Sequence, residues 1–91
     1  MDLLGTFTDF CDRPRPYLDR VGRGERFRLR GYGRDVVMLT KVGLASERPV
    51  ALVIGSGALE EQQRRVRAAL AVGVVQVTRW GVVDGVLEVV T

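Results

Sequence analysis

Apolar and polar positions change rhythm several times along this chain, and each change marks an element. Gly5 to Thr8 is a short β-prone stretch, and Asp9-Phe10-Cys11-Asp12 after it reads as a helical turn with Thr8 as its N-cap. Pro14 and Pro16 cannot both lie inside a helix, so the next helix should start near Pro16 and end at Val21-Gly22. Its apolar side would carry Tyr17, Leu18 and Val21, and Gly22 and Gly24 supply the stop. Phe27 and Leu29 then alternate with Arg26, Arg28 and Arg30, the period of a half-buried strand with arginines on its outer face. Gly31-Tyr32-Gly33 reads as the turn, with Tyr32 exposed at the tip, and Val36 to Thr40 as the returning strand.

The second half begins after a looser stretch, Gly43 to Pro49. Val50 to Ile54 has the composition of a buried strand. Gly55-Ser56-Gly57 leads from it into a helix of roughly Ala58 to Ala71, whose apolar stripe is Leu59, Val66, Ala69 and Leu70. Glu60–Arg64 and Glu61–Arg65 stand at the i,i+4 spacing of helical ion pairs. Val74 to Val83 and Val86 to Val90 flank Asp84-Gly85, a strong two-residue hairpin signal. No internal repeat is evident in the residues.

Ninety-one residues suffice for one domain, and a domain this small buries a modest share of its surface, so dimerisation would add to its stability. Apolar residues are 46% and charged residues 27%, the balance of a globular protein. Neither a 20-residue apolar run nor a basic-then-apolar leader is seen, so a cytoplasmic protein without a membrane span is expected. A single cysteine, Cys11, allows no internal disulfide, and the absence of histidine removes the usual zinc sites and any histidine-based dyad. No cofactor, no metal and no catalytic residue is therefore expected, and Cys11 reads as a half-buried structural thiol.

The net charge of +3 is unevenly placed. Thirteen of the fourteen basic residues are arginine, and eight of them fall between Arg13 and Arg34, against only Asp19 and Glu25 as acids. That window carries about +6, which suits a surface that meets phosphates, although a solvated arginine face would look the same.

Thr6-Phe-Thr-Asp-Phe10, Tyr17-Leu-Asp-Arg-Val21, Gly24-Glu-Arg-Phe-Arg-Leu29 and Gly33-Arg-Asp-Val36-Val-Met-Leu39, read in register, resemble the N-terminal part of the Phd/YefM antitoxins. The resemblance covers residues 5 to 42. It implies a homodimer whose antiparallel sheet supports paired N-terminal helices that enter DNA major grooves at an operator, with autorepression and a cognate toxin as partner. The chain departs from that family's pattern at Cys11, where an arginine is usual, and at Pro14, where an aliphatic residue is usual. It departs again in its second half, which reads as a folded layer in place of an acidic tail.

The expected fold is thus α+β: a small antiparallel sheet with short N-terminal helices over residues 1–42, extended by a strand-helix-hairpin layer over 43–91 in the same domain. Arg13, Arg15, Arg30, Tyr32 and Arg34 are the candidate DNA contacts, with Arg34 assigned to phosphate. Leu59, Arg64, Val66, Arg67 and Trp80 are the candidate partner surface. Trp80 could stack a base, meet a partner or cap the core, and Gly55-Ser56-Gly57 could cradle a phosphate or form only a tight turn. The alternative to a repressor is a dimeric protein-interaction module without a toxin.

Overall fold

A computed structural model describes residues 2–44 and 47–90, and both halves contribute strands to one sheet. The elements are β1 (Leu3–Thr6), α1 (Phe7–Asp12), α2 (Pro14–Gly22), β2 (Phe27–Tyr32), β3 (Asp35–Thr40), β4 (Val50–Gly55), a 3₁₀ turn (Ser56–Ala58), α3 (Gln63–Leu70), β5 (Val74–Arg79) and β6 (Val82–Val90). The strands lie in the order β1-β2-β3-β6-β5-β4. The fold is α+β as expected, but its sheet is mixed. β1 pairs parallel with β2, and β4 with β5, because each pair is joined by a helical crossover.

That order reveals a repeat the residues do not advertise. A strand, a helical crossover and an antiparallel hairpin occur twice, and the halves meet where β3 pairs antiparallel with β6. The seam is centred on Met38↔Glu88, so the halves are related by a pseudo-two-fold through it.

The helices cover one face. Phe7, Phe10 and Cys11 of α1, Leu18 and Val21 of α2, and Val66 and Leu70 of α3 form one buried cluster with Phe27, Leu29, Val37, Leu39, Val75, Val77 and Leu87. Arg28 and Arg30 point to the opposite face and are exposed, as their alternation with Phe27 and Leu29 requires. The chain after β3 straps over part of that second face. The buried Glu88 carboxylate accepts from the Leu44 amide at 2.9 Å and pairs with Arg48 at 3.8 Å. Ala45 and Ser46, within the expected loop of 43–49, lie outside the described residues.

Several expected boundaries are corrected. The first strand is Leu3–Thr6, and the N-cap of α1 is Thr6, whose hydroxyl accepts from the Asp9 amide at 3.0 Å. Both prolines lie in α2, since the amides of a helix's first turn have no intrahelical acceptor and a missing N–H there costs nothing. The β2–β3 turn is Gly33-Arg34, with Gly33 at φ 64°, and Tyr32 still belongs to the strand. Tyr32 is half-buried and donates to the Arg67 carbonyl at 2.9 Å, so it is no exposed tip. β4 is an edge strand with only Ile54 buried. The helix before β5 is shorter than expected, leaving Glu60 and Glu61 in a turn without their arginine pairs; Arg65 bonds Gln62 at 3.2 Å instead.

The last hairpin turns at Trp80-Gly81, closed by Arg79↔Val82, and Asp84-Gly85 lies inside β6. Asp84 is the extra residue of a bulge, for Val77 faces Gly85 while Thr78 faces Val83. Gly85 is needed under α2: a Cβ there would come within 2.9 Å of Leu18 Cδ2 and 3.0 Å of Leu39 Cδ1. Both leucines are fully buried, so any relief must come from repacking inside the core.

Gly85→Ala should lower unfolding free energy by about 1–3 kcal/mol, the usual cost of overpacking a core, in urea melts followed by far-UV circular dichroism. Cys11 is buried, and burial pushes its thiol up to about 11, with Arg67 opposing and Asp12 adding to the shift. At pH 8 a maleimide should label native protein far more slowly than urea-unfolded protein. A thiol pKa raised on folding favours the native state below about pH 9, and that contribution is lost as pH rises towards 11. Stability should therefore fall across that window more in the parent than in Cys11→Ala.

Candidate functional site

The corner between α1 and α2 is built by a proline. A residue before proline is pushed out of the helical region, and Arg13 sits at φ −137°, ψ 71° while its amide donates to the Asp9 carbonyl at 2.8 Å. The chain changes direction there, and Arg13 and Arg15 are both exposed at the corner. Opposite them, β4 ends at Gly55 and passes into the 3₁₀ turn at Ser56. The β5–β6 turn closes the third side. These three segments line an open groove of about 790 Å³, with Asp12 through Pro16 on one wall, Gly55-Ser56-Gly57 on another, and Thr78 through Gly81 on the last.

The charges in this groove differ in freedom. Arg79 is tied down, its Nη1 2.7 Å from Asp19 and its Nε bonded to Asp84. Those hydrogen bonds, Asp84's first and Asp19's second, raise its pKa, so it stays a cation whose donors are used in fixing the turn. Arg13 reaches Asp9 at 3.5 Å in an exposed i,i+4 pair of little energetic weight. Arg15 has no ion-pair partner among the described residues. Asp12 is the acid on the lining. The groove therefore offers two available guanidiniums at its rim.

Trp80 is the unusual member. It is 98% exposed and has φ 55°, beside Gly81 at φ 79°. Two positive φ values define a type I′ turn, which asparagine or glycine fills without penalty. A bulky residue in the left-handed region costs about 1–2 kcal/mol. This tryptophan offsets none of that by burial, since its indole packs on almost nothing. Strain held without a packing reward is a mark of function more than of folding.

The expected sites scatter by comparison. Arg13 and Arg15 are brought together with Trp80 and the Gly-Ser-Gly segment. Arg30 lies on the open sheet face. Arg34 is in the β2–β3 turn, and since β5 runs antiparallel to β6 and β6 to β3, that turn and the Trp80 turn occupy opposite ends of the sheet. Leu59 and Val66 are fully buried and present no partner surface. Arg64 is exposed on α3. The Arg67 guanidinium lies 4.8 Å from the Phe7 ring centroid and 5.0 Å from that of Tyr32, a cation–π clasp holding α3 against α1 and β2. Burial raises the Tyr32 pKa, with the Arg67 charge opposing the shift and Asp35 adding to it.

Among the described residues no cluster of metal-ligating side chains occurs, and no helix is long and apolar enough to cross a membrane. No protein-family model matches this chain, and neither a curated protein nor a solved structure is found to be similar to it.

Proposed function

We propose that this chain is a non-catalytic nucleic-acid-binding protein, acting as an autorepressor of the antitoxin type that residues 5 to 42 resemble. The observation that carries the reading is the groove, where the exposed Arg13 and Arg15 stand across from Gly55-Ser56-Gly57 and beside Trp80. Guanidiniums on a rigid helix corner suit phosphate oxygens and guanine edges, and arginine does this better than lysine because its donors form a planar fork. The order strand, two short helices, hairpin over Leu3–Thr40 supports the same reading.

Toxin capture by a C-terminal tail has less support. β6 lies between β3 and β5, so residues 82–90 are committed to the middle of the sheet. A second reading, an interaction module, is favoured by the edge strand β4, where Val50 and Val53 are exposed beside unpaired backbone.

Fluorescence anisotropy with a labelled duplex from the upstream promoter, against a scrambled duplex, tests the repressor reading. The promoter should bind more tightly at ~0.15 M salt, where surface charges are already well screened. Arg13→Ala and Arg15→Ala should each weaken binding and lower the log-salt slope by about 1 for each phosphate contact removed. Arg34→Ala, at the other end of the sheet, should leave both unchanged. Equal affinity for the two duplexes would overturn the repressor reading and leave the interaction module.

A further inference from the structure

We infer that the groove takes an unpaired nucleotide unit, with its base stacked on Trp80 and its phosphate held at the rim by Arg13 and Arg15. The inference rests on the nucleic-acid reading above and goes further, because a base inside a duplex offers no free face to an indole.

Four observations converge on it. Trp80 presents its whole ring to solvent, in a turn conformation that disfavours any bulky side chain. Such a platform suits the π-face of a base, which every nucleobase has and which is reachable only when the base is unstacked. Arg79 fixes the platform from behind through Asp19 and Asp84, so the turn is braced without using Trp80 itself. The facing wall is open. A Cβ at Gly55 or at Gly57 would meet nothing within 4 Å, and neither glycine has a positive φ. Neither packing nor backbone conformation therefore demands glycine there, whereas close approach of a ligand would. Arg13 and Arg15 then supply positive charge on the third side, with Asp12 the acid nearby. Aromatic platform, open glycine-serine-glycine wall and two guanidiniums match the three parts of a nucleotide, and none of them alone would specify one.

The shared chemistry, a base with its phosphate, could come from a single strand or from a free nucleotide, and the chain carries its own reporter for either. Trp80 is the only tryptophan, so emission excited at the red edge, where tyrosine does not absorb, reads this site alone. The full chain is titrated with a single-stranded oligothymidylate of ~10 nucleotides, within the span one small domain covers, and separately with adenosine monophosphate. Emission should be quenched by the oligonucleotide, with a midpoint that moves to higher concentration as salt is added. Quenching by the monophosphate as well identifies the single unit as sufficient; quenching by the strand alone identifies a strand as the source.

Trp80→Asn keeps the protein testable, since asparagine is at ease in this turn and the variant should be at least as stable as the parent. Binding of a fluorescently labelled oligothymidylate, followed by anisotropy, should fall about tenfold or more in that variant, in line with the loss of one base–aromatic stack. Arg15→Ala should weaken the same binding while leaving the fully quenched emission unchanged. The inference is overturned if neither probe alters Trp80 emission, or if Trp80→Asn binds the oligonucleotide as tightly as the parent. The two readings fail separately. Promoter-specific duplex binding with silent Trp80 would leave the repressor reading standing without this one. Quenching by single strands, with promoter and scrambled duplexes bound alike, would do the reverse.

Discussion

The antiparallel pairing of β3 with β6, from Val36↔Val90 to Thr40↔Val86, joins two three-stranded half-sheets into one. Without it each half would be a three-stranded sheet with an open edge and a helical layer only partly filled. On the helical side the seam brings Val37, Leu39 and Leu87 under α2 and α3, while Gly85 leaves room for Leu18 to press onto the strands. On the other side it carries Glu88, a buried carboxylate made tolerable by the Leu44 amide and Arg48. Leu44 and Arg48, between β3 and β4, are thereby fastened to the seam. The core and the Glu88 contacts both depend on one register.

The groove depends on it as well. Its arginine wall comes from the first half of the chain, and its glycine wall and tryptophan turn come from the second. The Arg79–Asp19 pair, 2.7 Å long, bridges the halves beside it. A feature assembled across the seam has no counterpart in either half alone, and the pseudo-two-fold does not reproduce it. The other hairpin turn is Gly33-Arg34, with no aromatic residue in the turn, and its neighbour Tyr32 faces inward onto Phe7 and Arg67.

Local rules recover much of this structure and fail where tertiary register overrides them. Alternation around Phe27 and Leu29 marks β2 and its arginine face, and the stripe Leu59, Val66, Leu70 marks what α3 and its preceding turn bury. Asp84-Gly85 is a strong turn signal read locally, yet a turn there would set only Val86–Val90 against the longer run before it. Turning at Trp80-Gly81 lets β6 pair with β5 over 82–87 and with β3 over 86–90, at the expense of a strained tryptophan. The parallel pairs are invisible to periodicity, which reports faces and says nothing of direction. Of the groove, Arg13, Arg15, Gly55–Gly57 and Trp80 each stand out in the sequence. Their convergence does not, because it follows from the sheet order.

The place of β6 also governs how the chain can be born. β6 is a central strand that follows the other five in sequence, so this sheet is completed from the middle. As the polypeptide emerges residue by residue, β1 to β3 are available long before the partner that must lie against β3, and the pairing spans about fifty positions of chain. Until residues 82–90 appear, β3 offers a bare hydrogen-bonding edge and Leu39 lacks its neighbour across the seam. Topologies dominated by such distant pairings acquire their structure late and slowly, and expose adhesive edges meanwhile. In the nascent chain, that vulnerable interval ends only with the arrival of β6.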